Sequence, residues 1–119
     1  MMLNHDCVRD ILLYLESIPY DPMLINSKDI ELPKYSYEEI LYSLKKLKEA
    51  GFINMTKVNF EQSTFIESIS WSGHDFLDNI RDNKTWRETI SKISKTVGSA
   101  SIDIISRVAV SIINSKLGI

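Results

Sequence analysis

Ser36-Tyr37-Glu38-Glu39-Ile40-Leu41-Tyr42-Ser43-Leu44-Lys45-Lys46-Leu47-Lys48-Glu49-Ala50-Gly51-Phe52-Ile53 is the stretch on which the fold turns. Its first four residues have capping-box spacing: the Ser36 hydroxyl can accept from the amide three residues on, and Glu39 can reach back to Ser36. Tyr37, Ile40, Leu41, Leu44 and Leu47 follow at helical spacing and predict a buried face. Lys45, Lys46 and Lys48 fall in the second half, where the helix dipole favours cations, and Gly51 supplies a left-handed stop. The pattern predicts a helix over 36–50 that runs straight into a strand.

Working outward toward the C-terminus, Phe52–Val58 and Thr64–Ile69 are rich in β-branched and aromatic residues. They flank the polar run Asn59-Phe60-Glu61-Gln62-Ser63, the signature of a hairpin with a loop of about five residues. A helix to about Arg81 follows, capped by Ser70 or Ser72. Trp86, Ile90, Ile93 and Val97 mark another, broken at Gly98-Ser99, and a last helix is expected from Ser101 or Asp103 to Lys116. Toward the N-terminus, Val8, Ile11, Leu12, Leu15 and Ile18 form one apolar stripe, with Asn4 placed to cap it and Pro19 and Pro22 to stop it. Ile30 and Leu32 are expected in a short strand that Pro33 places at an edge or ends. Trp71, Phe76 and Trp86 are expected in the core.

The resulting order is helix, short strand, helix, hairpin, then helices. It predicts an α+β fold: a winged helix-turn-helix-like domain with a β-hairpin wing and additional C-terminal helices. Residues 36–50 occupy the place of the recognition helix and 59–63 that of the wing. The expected division is a winged-helix domain over 1–82 and a C-terminal helical extension over 83–119, packed on it or used for dimerisation.

Composition narrows the function class. The 119 residues suit one domain, and 44% hydrophobic with 25% charged residues is ordinary for a folded protein. Cys7 is the only cysteine, so no internal disulfide is available, which fits a reducing compartment and a cytoplasmic expectation. The opening Met1–Asp6 has no basic flank or long apolar run, and the stretch Val108–Ile113 is far short of the roughly 20 residues of a membrane helix. No membrane partner is expected. Net charge is −2, which argues against a surface that attracts nucleic acid everywhere. The distribution is uneven. Residues 1–32 carry six acids against Arg9 and Lys28, whereas 81–97 carry Arg81, Lys84, Arg87, Lys92 and Lys95 against Asp82 and Glu88.

Catalytic and metal chemistry find little support. His5 with Cys7, and His74 with Asp75 and Asp78, lack the three or four converging ligands that zinc needs. Cys7 lies beside the apolar stripe of the first helix, where a thiol usually packs as a small hydrophobe. No serine sits in a nucleophile elbow, and Gly51, Gly73, Gly98 and Gly118 are isolated rather than gathered in a phosphate-cradling loop. The expectation is a protein that is not an enzyme, with no metal and no cofactor.

Two stretches carry a family resemblance. Glu38–Ile53 is similar to the helix-then-strand segment of many winged-helix proteins. Ile69-Ser70-Trp71-Ser72-Gly73-His74-Asp75-Phe76-Leu77-Asp78-Asn79-Ile80-Arg81-Asp82, followed by Trp86, is more particular. Together they resemble an uncharacterised bacterial and phage family, domain of unknown function 2513, from Asp6 to the C-terminal helix. The resemblance implies a winged helix of prophages and mobile elements and brings no assigned activity. In that family a histidine commonly follows the tyrosine of the capped helix; here Ser43 follows Tyr42, which removes one candidate base or phosphate contact.

Two functional readings stand. One is a DNA-binding regulator or accessory factor of a phage or mobile element, contacting double-stranded DNA through Tyr37, Tyr42, Ser43, Lys45, Lys46 and Lys57. Glu38 and Glu39 at the helix start and Glu61 in the wing oppose it. The alternative is a protein–protein interaction module that keeps the winged-helix scaffold without DNA contact, using either the C-terminal helix or the acidic surface. Within it, Ile105, Val108, Ile112 and Ile113 on the last helix either fold back on the chain or meet a second copy in a homodimer.

Overall fold

Asn4 begins the first helix, α1 (His5–Ser17), as its side chain accepts from the Cys7 amide at 3.2 Å. The computed structural model describes residues 1–56 and 63–119. Among them lie five α-helices and a three-stranded antiparallel sheet, an α+β arrangement. By contact the chain divides into two compact units, Met1–His74 and Asp75–Ile119. The division falls inside the third helix, whereas the boundary expected from the sequence falls after residue 82.

In the first unit, α1 buries Cys7, Val8, Ile11, Leu12 and Leu15, the stripe its spacing predicts. It packs against α2 (Tyr37–Glu49) and the central strand of the sheet. The first strand differs from expectation. β1 is Ile25–Asn26, not Ile30 and Leu32. The Asn26 side chain accepts from the Lys28 amide and turns the chain into a single 3-10 turn, Ser27–Asp29. Ile30 is then buried outside any strand. The pairing is long-range, since Ile25 lies opposite Ile66 and Asn26 opposite Phe65.

β2 (Ile53–Met55) and β3 (Phe65–Ile69) form the antiparallel hairpin, giving the order β1-β3-β2. Each strand starts one residue later than the 52–58 and 64–69 expected, and Lys57 and Val58 lie outside the described residues. A register shift between Asn54 and Met55 interrupts the ladder, as a bulge does. The expected wing, Asn59–Ser63, lies outside the described residues except for Ser63.

Ser27 joins these elements. Fully buried, its amide donates to Thr64 O at 2.8 Å, its Oγ accepts from the Thr64 amide at 3.0 Å, and the same oxygen lies 2.9 Å from the Tyr37 hydroxyl. One hydroxyl thus ties β1, the approach to β3 and the first turn of α2, and satisfies polar groups that burial would otherwise penalise.

The junction into α3 (Trp71–Ile80) shows why Gly73 stands there. Ser70 is the cap, its Oγ accepting from the Gly73 amide at 3.1 Å. The hydroxyls of Ser70 and Ser72 both donate to Gly51 O, the latter at 2.9 Å. These bonds hold the helix start so close to the hairpin that a β-carbon on Gly73 would lie 2.1 Å from Phe52 O. Gly51 itself has φ of +79°, the left-handed stop expected of it.

In the second unit, α4 (Asn83–Thr96) is capped by Asp82, whose carboxylate accepts from the Thr85 amide at 2.8 Å. It packs against α5 (Ile102–Leu117), capped by Ser101 and stopped at Gly118. Trp86, Ile93, Ile105 and Ala109 are buried here, as is Phe76. Trp71 is the exception to the expected aromatic core. It is 83% exposed, because the Ser70 cap aims the opposite side of the first turn, with Gly73, at the hairpin.

Candidate nucleic-acid interface

α2 presents two faces whose composition follows from the helical period. Ile40, Ser43, Leu44 and Leu47 are buried. Glu38, Tyr42, Lys45 and Glu49 recur at spacings of four, three and four and form the outward stripe, with Lys46 beside it. Lys46 Nζ lies 2.8 Å from Glu49 Oε2 and 5.4 Å from the centre of the Tyr42 ring. The hydrogen bond between them raises the Lys46 ammonium and lowers the Glu49 carboxyl from their ordinary values. The stripe therefore carries two lysines against two glutamates, and one lysine is already paired.

Only the serine half of the expected capping box forms. Ser36 Oγ accepts from the Glu39 amide at 3.1 Å, but the Glu39 carboxylate accepts from Asn4 Nδ2 at 2.8 Å. Glu39 thus joins α2 to the capping residue of α1 and is drawn away from the outward stripe. Sequence spacing could not reveal this, because Asn4 is 35 residues away.

The sequence-derived contact residues are not equivalent in place. Lys45 is exposed; Tyr42 and Lys46 are partly so. Tyr37 is half-buried with its hydroxyl against Ser27 Oγ. Ser43 must be corrected. At 1% exposure it lies on the buried face and cannot meet a duplex. Its Oγ has no hydrogen-bond partner within the chain's described residues. It lies near the Cys7 thiol, which burial pushes above its ordinary value. Cys7 itself is fully buried, with Sγ 4.0 Å from Glu39 O, so it packs as a small apolar group and not as an accessible thiolate. Lys57 lies outside the described residues.

Beside the start of α2, Ile30, Leu32, Pro33, Tyr35, Tyr37 and Ile40 line an open apolar groove of about 730 Å³, with Lys28 and Glu31 at its rim. The Tyr35 hydroxyl donates to Asp10 Oδ2 at 2.6 Å. Burial first, and this carboxylate second, push the phenol well above its usual range.

On α5, Ile105 is 1% exposed and is already buried by its own chain, which removes it from a surface offered to a second copy. Val108, Ile112 and Ile113 are half-buried, and Ile104 and Leu117 are exposed. Among the described residues no three His, Cys, Asp or Glu side chains converge as a metal site, and no helix is long and apolar enough to cross a membrane.

The profile of a family described as "Hypothetical protein (DUF2513)" matches residues 2–100. The chain belongs to the DUF2513 family. The match runs from the residues before α1 to the residues after α4 and ends just short of α5. It includes both stretches, 38–53 and 69–82, from which the resemblance was read. A Haemophilus influenzae relative, named only as "Uncharacterized protein", is 32% identical over 124 residues, covering 98% of this chain and 99% of its own length. The DUF2513 chain therefore has a relative that includes α5 as well. No solved structure matches it.

Proposed function

We propose that this DUF2513 protein is a non-enzymatic, winged-helix DNA-binding regulator or accessory factor, of the kind its resemblance associates with phages and mobile elements. The observation that carries the reading is topological. α2 directly precedes the hairpin, and β1 closes the sheet in the order β1-β3-β2, the arrangement in which a winged helix offers its second long helix to the major groove. Fold analogy is a prior about function, and the site has to bear it out. The outward stripe of α2 supplies Tyr42, Lys45 and Lys46 as candidate contacts. Its near-neutral charge implies modest affinity from this helix alone, since phosphate contacts supply most non-specific binding.

The test is binding of the purified protein to a random-sequence duplex pool across a salt series. Binding that weakens steeply with salt is expected. The Lys45→Glu/Lys46→Glu protein should bind at least about tenfold more weakly, as loss of phosphate contacts reduces affinity and salt slope together. A folded wild-type protein that ignores duplex at low salt would sink the reading.

A protein-interaction module is the second reading, favoured by the apolar groove beside Tyr35 and Tyr37. Under it, Lys45→Glu/Lys46→Glu leaves partner binding largely intact.

A further inference from the structure

Charge is divided unequally between the two units. Met1–His74 carries eleven acidic against seven basic residues, and Asp75–Ile119 five acidic against seven basic. The excess of the second unit is gathered on α4. Taking 100° per residue, Lys84, Arg87, Lys92 and Lys95 fall within one arc of about 140°, away from the side on which Trp86, Thr89 and Ile93 are buried. All four are exposed.

These four are not held in ion pairs, a property they share among the described residues with Lys34, Lys45 and Lys48 of the first unit. Only on α4 do four such cations lie within one arc. Arg81 pairs with Asp78 at 2.8 Å, Arg107 with Asp103 at 3.1 Å and Lys46 with Glu49 at 2.8 Å. Among the described residues Lys84, Arg87, Lys92 and Lys95 form no such pair. The acids that could have neutralised them are engaged elsewhere. Glu88, within the same arc, lies 3.7 Å from Lys116 Nζ. Asp82 is committed to the Thr85 amide and hydroxyl, with Lys116 4.0 Å away. Its carboxyl is held below the usual range chiefly by the Thr85 amide, with Lys116 and Lys84 contributing.

We propose that the outer face of α4, through Lys84, Arg87, Lys92 and Lys95, is a phosphate-backbone contact surface for duplex DNA. The inference rests on the DNA-binding reading and assigns the electrostatic anchor to α4, where α2 is nearly neutral. Lys84 to Lys95 spans about 16 Å of helix. Over that distance a duplex carries roughly nine charges at one per about 1.7 Å, so four cations have phosphates within reach. Duplex fits better than an anionic bilayer. A membrane-surface helix keeps large apolar residues free to enter the lipid, and here Trp86 and Ile93 are 5% and 6% exposed. Ser91 and Ser94, the other exposed positions between Lys84 and Lys95, are small and polar.

The experiment compares three full-length proteins on the random duplex pool across a salt series. They are the wild type, Lys84→Gln/Arg87→Gln/Lys92→Gln/Lys95→Gln, and Arg81→Gln/Arg107→Gln. Circular dichroism confirms that each is folded, and glutamine keeps helix propensity close to that of lysine. The fourfold variant should bind at least about tenfold more weakly at roughly 0.1 M salt, with a salt slope shallower by about two to four, near 0.9 per lost contact. The paired-arginine variant changes net charge too but should stay within about threefold of wild type. Wild-type binding matched by the fourfold variant, with an unchanged slope, would overturn this proposal and leave the DNA reading standing. Wild-type protein that does not bind duplex removes the DNA reading itself. Binding of the wild type to phosphatidylserine vesicles in place of duplex overturns the proposal in favour of lipid.

Discussion

At the scale of single residues, burial and contact outweigh residue type. Gly73 looks like a blemish in a helix, since alanine is better there by about 1 kcal/mol. Its neighbour decides otherwise, because a β-carbon would sit 2.1 Å from Phe52 O, a backbone atom that cannot swing aside. Gly73→Ala is expected to destabilise the fold by about 1–3 kcal/mol despite the gain in propensity. Urea denaturation measures it, and a variant as stable as wild type would refute the close approach. Ser43 and Trp71 make the same point in opposite directions. A serine beside a tyrosine on a capped helix reads as a surface contact, yet position 43 falls on the face that α2 buries. A tryptophan reads as core, yet position 71 is on the outer side of the first turn of α3 and is left 83% exposed.

Among the elements, the ends of the helices are written locally and their partnerships are not. Ser36, Gly51, Gly98 and Ser101 act within a turn of where they stand, and each marks a boundary close to the expected one. The Glu39 carboxylate belongs to another category, because it bonds the capping residue of α1. A double-mutant cycle on Asn4→Ala and Glu39→Ala should therefore show coupling of about 0.5–1 kcal/mol, as residues sharing a hydrogen bond do. Additive effects on unfolding free energy would mean that α1 and α2 are joined by packing alone. Each cap lost should also cost its helix about 1 kcal/mol.

For the molecule as a whole, two buried acids of high pKa shape the alkaline limit of stability. Cys7 and Tyr35 are both raised above their ordinary values of 9.0 and 10.0, in each case chiefly by burial. A raised folded-state value means that the folded form holds its proton more tightly than the unfolded chain. The associated stability is complete below the unfolded value, near pH 9 for the thiol and pH 10 for the phenol, and is lost as pH rises toward the folded values. Denaturation midpoints should accordingly fall between about pH 9 and 11. Tyr35→Phe should be less stable near neutrality by about 1–3 kcal/mol, because the hydrogen bond to the Asp10 carboxylate is gone. Its alkaline decline should also be shallower. Parallel pH profiles for the two proteins would exclude Tyr35 as the titrating group.

The sequence alone determined five helices, the hairpin, the α+β class and the family, because caps, left-handed glycines and the helical period act between residues a few positions apart. It also displayed the cations of α4, though not their freedom from ion pairs. Tertiary structure decided that β1 is Ile25–Asn26, that Glu39 turns to Asn4, that Ser43 and Ile105 are inside and Trp71 outside, and that Gly73 leaves room for Phe52. Each of these depends on a partner many residues away or on which side of an element faces a neighbour. Such choices are made by the total area and polarity buried when elements meet, and local spacing carries no record of that sum.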